Sequence, residues 1–220
     1  MSFEFKKISH DLLFDAEATM YPTVMHGRGP GDGAFVNIAS THFGFVTEGV
    51  VTIRRENLPP MELSKGMYFA VPGKFKHSGS GTVLVIERLG YRSMFSVGGP
   101  IEESGRLCYI DNCSVSQLVP PARRGDPTFQ QLVFPPNVDQ SMHLHPTIRM
   151  GYVHSGSGIC KMSDGSKHPL EVGQVFYLHE RQVHGFQSLE QKLVVIAFHP
   201  DSDVGPTDQC HPMLSRTYKI

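Results

Sequence analysis

With 220 residues, the chain has the length of one large domain or of two of about 100 residues each. Its formal charge of −1 and pI near 6.9 leave no basic excess to hold a phosphate backbone, which excludes nucleic acid as an expected partner. The longest apolar run, residues 193–198, is far too short to cross a bilayer, so no membrane partner is expected either.

In chain order, residues 1–21 mix Glu, Lys, Asp and Phe and lack the apolar core of a signal peptide. Within them, residues 9–19 form the only stretch able to support a short helix. Short apolar segments follow at residues 43–46, 50–53, 67–71, 82–86, 130–134, 175–178 and 193–198, each bounded by Gly, Pro, Asn, Asp or Ser. That is the pattern of an all-β sandwich or barrel. A Gly- and Glu-containing linker at 98–105 divides the chain into residues 1–105 and 106–220. Residues 120–127 read as a long polar turn. The two ends, 1–21 and 201–220, are expected to pack outside their own domain or on the other one. Cys108, Cys113, Cys160 and Cys210 form no C-x-x-C pair and no disulfide framework, which fits a reduced, cytoplasmic setting.

Residues 44–77 align without a gap on residues 151–184. Seven columns are identical: Gly44/Gly151, Val46/Val153, Gly49/Gly156, Leu63/Leu170, Gly66/Gly173, Phe69/Phe176 and His77/His184. A repeat of this kind implies two copies of one β domain. The three glycine columns are expected at turns or bulges that need positive φ.

The strongest chemical signal lies in the second copy, at His143-Leu144-His145. Residues i and i+2 of an extended strand share a face, so two imidazoles stand side by side, and His184 is the third candidate for one metal ion. These stretches resemble the cupin superfamily. The family's first motif, G(x)5HxH(x)3–4E(x)6G, is met by Asn137, His143, His145, Arg149 in place of Glu, and Gly156. Its second, G(x)5PxG(x)2H(x)3N, is met by Gly173, His179 for Pro, Arg181 for Gly, His184, and Ser188 for Asn. The resemblance implies two tandem cupin barrels (jelly-roll, or double-stranded β-helix) and a divalent metal on His143, His145 and His184. It also admits a homodimer.

Arg149 removes the usual fourth ligand, because a guanidinium has no lone pair to give. The all-imidazole set resembles the three-His cupins, such as thiol dioxygenases, although the rest of that pattern is absent. Three neutral imidazoles leave the ion its full charge, which should attract an anionic or chelating ligand. Arg149 is then expected to grip and orient the anion, as substrate-binding and catalytic residue; a salt bridge to a neighbouring carboxylate is the other reading. Fe(II) is the favoured ion, with Mn, Ni or Zn also compatible.

In the first copy the same offset places Val36 and Ile38 opposite the HxH pair and His42 opposite Arg149, leaving only His77. A dry core or a ligand pocket is expected there. His179 reads as a loop residue rather than a fourth ligand. His154 should point out of the barrel, and His168, His199 and His211 read as surface or packing residues. The function expected is a metal-dependent enzyme, dioxygenase-type by first choice, acting on a small anionic or chelating metabolite. The alternatives are an isomerase or lyase and a non-catalytic binding module.

Overall fold

The computed structural model describes residues 3–220. The chain opens with β1 (Glu4–Lys7), then lays down β2 (Leu12–Ala16), β3 (Thr23–Arg28), β4 (Gly33–Phe35), β5 (Thr41–Glu48), β6 (Val50–Arg54), β7 (Met61–Ser64), β8 (Tyr68–Pro72), β9 (Phe75–Gly79), β10 (Thr82–Arg88) and β11 (Ser96–Gly98). Then come β12 (Leu107–Cys108), β13 (Ser114–Val119), β14 (Thr128–Phe134), β15 (Arg149–Ser155), β16 (Gly158–Met162), β17 (Lys167–Leu170), β18 (Gln174–Leu178), β19 (His184–Ser188) and β20 (Leu193–His199). A six-stranded sheet, β11-β8-β5-β10-β3-β2, and a four-stranded sheet, β4-β9-β6-β7, enclose the first barrel. A seven-stranded sheet, β1-β18-β15-β20-β14-β13-β12, and a three-stranded sheet, β17-β16-β19, enclose the second. The first strand therefore crosses to the other barrel, where Glu4–Lys7 pairs with Gln174–Tyr177.

The larger sheets are apolar on both faces, for different reasons. On β5, Val46 points into the first barrel, among Val51, Leu63 and Phe69. On β15, Val153 points into the second, among Leu170, Phe176 and Val195. The alternate residues Phe43, Phe45, Met150 and Tyr152 leave their own barrels and meet each other in a third core, with Phe198 and Phe129. Phe43 and Phe198 have ring centroids 5.0 Å apart. The barrels are thus packed sheet on sheet, each face of the alternation having its own apolar partner.

The seven repeat columns now have physical reasons. Gly49, Gly66, Gly156 and Gly173 all adopt positive φ, between 64° and 85°. Gly44 and Gly151 do not, contrary to expectation. They serve as clearance instead: a Cβ on Gly44 would lie 2.0 Å from the Phe69 ring, and one on Gly151 would lie 2.2 Å from Phe176. The ladders pair those residues directly, Gly44 with Phe69 and Gly151 with Phe176. Valine, leucine and phenylalanine columns fill the two interiors.

Residues 9–19, the one stretch able to support a short helix, hold the strand Leu12–Ala16 instead. A bulge between Leu12 and Phe14 turns both Leu13 and Phe14 into the inter-barrel core, and pairing with β3 satisfies the backbone. The four cysteines are free thiols. No helix among the described residues is long and apolar enough to cross a membrane.

The Gly151–Phe176 approach is testable. Gly151→Ala overpacks the second interior and is expected to cost about 1–3 kcal/mol, with roughly 2–4 °C of Tm lost per kcal/mol at this size. Calorimetry should show the loss and its partial recovery in the Gly151→Ala/Phe176→Leu double variant. An unchanged Tm in the single variant would contradict the close contact.

Candidate metal centre

Residues 137–145 lie outside any regular strand, yet they run antiparallel to residues 181–189 and are bonded to them almost throughout. Asn137 N–H donates to Leu189 O, Ser188 N–H to Val138 O and Gln140 N–H to Phe186 O, at 2.8–2.9 Å. His143 and His184 exchange both backbone hydrogen bonds at 2.8 Å, and Arg181 N–H donates to His145 O at 2.8 Å. Both Asn137 and Arg181, standing where the motif has glycine, adopt the left-handed conformation, at φ 60° and 55°. Ser188 Oγ accepts from Val138 N–H and donates to Pro135 O, fixing the approach to this segment.

The extended backbone here sends Met142 and Leu144 outward and His143 and His145 inward. One ring nitrogen from each of His143, His145 and His184 lies within 4.8 Å of the other two, and this is the one such group of potential metal ligands among the described residues. Ring centroids are 4.6–5.2 Å apart. His143 Nδ1 is 2.8 Å from Ser141 O, and His184 Nδ1 is 2.8 Å from Gln182 O. A carbonyl can only accept, so both Nδ1 atoms carry the proton and both Nε2 lone pairs are left for a metal.

Burial, with the Arg149 guanidinium next, pulls His145 down to about 3. Burial also pulls His184 down to about 4, against its hydrogen bond to the Gln182 carbonyl. Both rings are neutral at physiological pH, so a cation meets no proton to displace on them. The donor set, its tautomers and its protonation all fit a divalent ion with imidazole preference.

The three rings open into a cavity of about 50 Å³ whose walls include Tyr109, Gln130, Gln140, Arg149 and His199. Arg149 is buried, and its Nη1 donates to Thr147 Oγ1 at 2.6 Å and to the Ile148 carbonyl at 2.8 Å. Thr147 Oγ1 donates in turn to Asp201 Oδ1, which lies 3.9 Å from the same Nη1. Both readings of Arg149 are therefore present in part: one edge of the guanidinium is tied to the frame, while its Nε is buried without a partner. Gln140 Nε2 is likewise buried and unpartnered.

His199 is the site residue that sequence reasoning placed elsewhere. It was expected at the surface or in packing, but it stands on the cavity wall, 5.9 Å from the His145 ring, and burial holds it well below its ordinary value. Strand alternation carried the signal: Leu193 and Val195 face the interior, Ala197 lines the cavity, and His199 continues that face. His179 pairs with Glu4 at 3.2 Å and packs on Tyr177, pinning β1. His154 leaves the barrel as expected and rests edge-on against Phe45.

In the first barrel the gapless offset misplaces the counterparts of the HxH pair. His77 pairs with Gly33 and Phe75 with Phe35, so Gly33 stands where His143 does in the second barrel, and Phe35 follows two residues on. Val36 is not in a core at all but 78% exposed. Phe35 and Phe75 stack at 5.1 Å and fill the place of the metal centre. The ladders also put His26, His42 and Glu87 where Gln130, Arg149 and His199 stand in the second barrel. Glu87 lies 3.7 Å from each of the two imidazoles.

Residues 131–199 match the cupin domain family. No curated protein sequence matches the chain. Among solved structures, the fold is similar to a Cupin 2 conserved barrel domain protein from Leptotrichia buccalis (11% identity, 89% of this chain and 88% of that one, TM-score 0.64). It is also similar to a salicylate 1,2-dioxygenase from Pseudaminobacter salicylatoxidans (12%, 86% and 76%, 0.63). A third likeness is to the oxalate decarboxylase of Bacillus subtilis, a protein with Mn(II) centres (13%, 84% and 69%, 0.53). At these identities the likeness is one of fold.

The low proton affinities have a thermodynamic consequence. His145 and His184 hold protons less tightly folded than unfolded, so the unfolded chain binds more protons below about 6.5. In the metal-free protein, stability should fall as pH drops below 6.5, and the loss should continue towards the folded values near 4 and 3. Thermal melts of chelator-treated protein should show Tm falling across that window, less steeply in a His145→Asn/His184→Asn variant. Equal slopes in the two proteins would contradict the assignment.

Proposed function

We propose, from the fold of two tandem cupin barrels, that the second barrel is a metal-dependent oxidoreductase of the dioxygenase type, acting on a small carboxylic acid. One observation carries the reading: three imidazoles converge on one cavity, and two residues of its wall, Arg149 and Gln140, carry buried N–H donors, Nε and Nε2, without acceptors. Buried donors left unpaired cost on the order of 1–3 kcal/mol each, a cost that an anionic ligand removes on binding.

His143, His145 and His184 would hold the ion, Fe(II) by preference or Mn, with Ni or Zn compatible, and when bound it supplies a Lewis-acid or redox centre beside the substrate. The rest of the work falls to the chain itself. Arg149, braced by Thr147 and Asp201, presents its free edge to a carboxylate and sets the orientation of the acid. Gln140 donates a second hydrogen bond. Tyr109, whose hydroxyl burial pushes up and thereby keeps protonated, offers an O–H at the same wall. His199, neutral at physiological pH, adds a ring nitrogen. Leu132, Leu178, Phe186 and Val195 supply the apolar part of the wall.

Cavity size narrows the substrate. About 50 Å³ is well below the roughly 300–1,000 Å³ of ordinary small-molecule sites, which favours a small acid over a bulky one. The likeness to an oxalate decarboxylase, together with this size, favours a lyase acting on the same acids as the second reading. A non-catalytic binding module would use the same groups without turnover.

The readings separate on gas exchange. Fe(II)- and Mn(II)-loaded protein should be offered glyoxylate, oxalate, lactate and malonate. Oxygen uptake in step with acid consumed supports the dioxygenase; CO2 release without net oxygen uptake supports the lyase; neither gas with tight acid binding leaves the binding module. Arg149→Gln should weaken binding of the preferred acid by about tenfold or more with metal content intact. Loss of the metal in that variant would instead assign Arg149 a role in building the centre.

A further inference from the structure

The outer face of the first barrel carries a second constellation, remote in chemistry from the histidines. On the four-stranded sheet, Phe35, Phe75 and Ile53 point inward, and the residues between them point out. The register places Lys76 on the central strand directly opposite Ala34 on one side and Arg54 on the other. Two cations directly across a strand pair repel and weaken the sheet. Lys76 has no carboxylate within ion-pair reach among the described residues, and Arg54 is held by Ser78 Oγ, a neutral partner. Arg55, over the Phe95 ring at 5.9 Å, and Lys74, paired with Glu56 at 3.3 Å, add two further positive charges.

These side chains surround a cavity of about 380 Å³, within the range of small-molecule sites. Its apolar part comes from the outward-facing Ala34 and Val36, with the strand backbone that carries Phe35 and Phe75 beneath them. Four cations against one carboxylate make the cavity strongly positive in a chain whose formal charge is −1. A local field of that kind concentrates anions.

We propose that this cavity is a second binding site, taking a small organic anion whose apolar body rests on Ala34 and Val36 while its carboxylate or phosphate lies between Arg54 and Lys76. The apolar body and the anionic head are both required, because either alone uses half of the lining. Such a ligand neutralises the like-charge pair that the strand register imposes. The site owes nothing to a metal, so it stands or falls apart from the function of the second barrel.

Isothermal titration of the full chain tests this with benzoate and phenyl phosphate as probes, and with acetate and inorganic phosphate as headgroups lacking the ring. Both aromatic anions are expected to bind at sub-millimolar concentrations and the bare headgroups at least about tenfold more weakly. Lys76→Gln, and separately Arg54→Gln, should weaken the aromatic probes about tenfold each, while Tm stays level or rises as the repulsion is relieved. His145→Ala should leave that binding unchanged. Failure of both aromatic probes to bind at millimolar concentration would overturn the proposal. So would binding lost in His145→Ala but retained in Lys76→Gln, which would place the anion at the metal centre. An aromatic probe bound no better than its bare headgroup would also overturn it, by showing only diffuse attraction to surface charge.

Discussion

The candidate centre depends on one backbone arrangement, the antiparallel run of residues 137–145 against residues 181–189. The two stretches are far apart in sequence, and neither His143 nor His145 belongs to a regular strand. Their relative position is set by main-chain hydrogen bonds, above all the reciprocal pair between His143 and His184 and the bond from Arg181 to the His145 carbonyl. Because those bonds involve no side chain, ligand geometry is fixed before any ion arrives. The left-handed residues Asn137 and Arg181 bend the chain into register at the two ends of the run.

That arrangement concentrates electrostatic tension. The rings of His145, His184 and His199 share a confined space with a buried guanidinium, and burial disfavours the charged form of each of these three. Their neutral forms resolve most of the conflict. Arg149 keeps its charge at neutral pH, although burial lowers it to about 10, and it is answered only in part by Asp201 at 3.9 Å. A divalent ion would add positive charge to a site already positive. On the proposed reading, an acid would balance the arrangement by placing its carboxylate between the ion and Arg149, the position where the family motif has a glutamate ligand.

Much of this was legible in the sequence because it rested on period and spacing. The HxH pair and the gapless run of seven columns locate His184 by its copy, and the all-β class follows from short apolar segments between turn residues. What escaped had local causes. The stretch around Leu13 and Phe14 contains good helix formers, and only the bulge and the facing core make it a strand. Gly44 and Gly151 look like turn glycines until the ring each one faces is known. The constant offset of 107 holds from His42 onward and fails before it, because the segment carrying Phe35 is displaced relative to the segment carrying His145. His199 was passed over because a histidine at the end of an apolar strand carries no motif; its inward face is set by the alternation of the strand.

The two barrels also show how one architecture is put to different uses. In the second, the three histidines and Arg149 border a space at the centre. In the first, Phe35 and Phe75 close the same space, and His26, His42 and Glu87 replace the polar wall. Everything proposed for the second barrel requires that its space hold an ion. The direct measurement is metal content by mass spectrometry on protein purified without chelator and reloaded with Fe(II) or Mn(II), for the wild type and for His145→Ala. The account predicts about one ion per chain in the first and none retained in the second, with the fold of the variant preserved by circular dichroism. Equal metal content in the two proteins, or none in either after reloading, would contradict it.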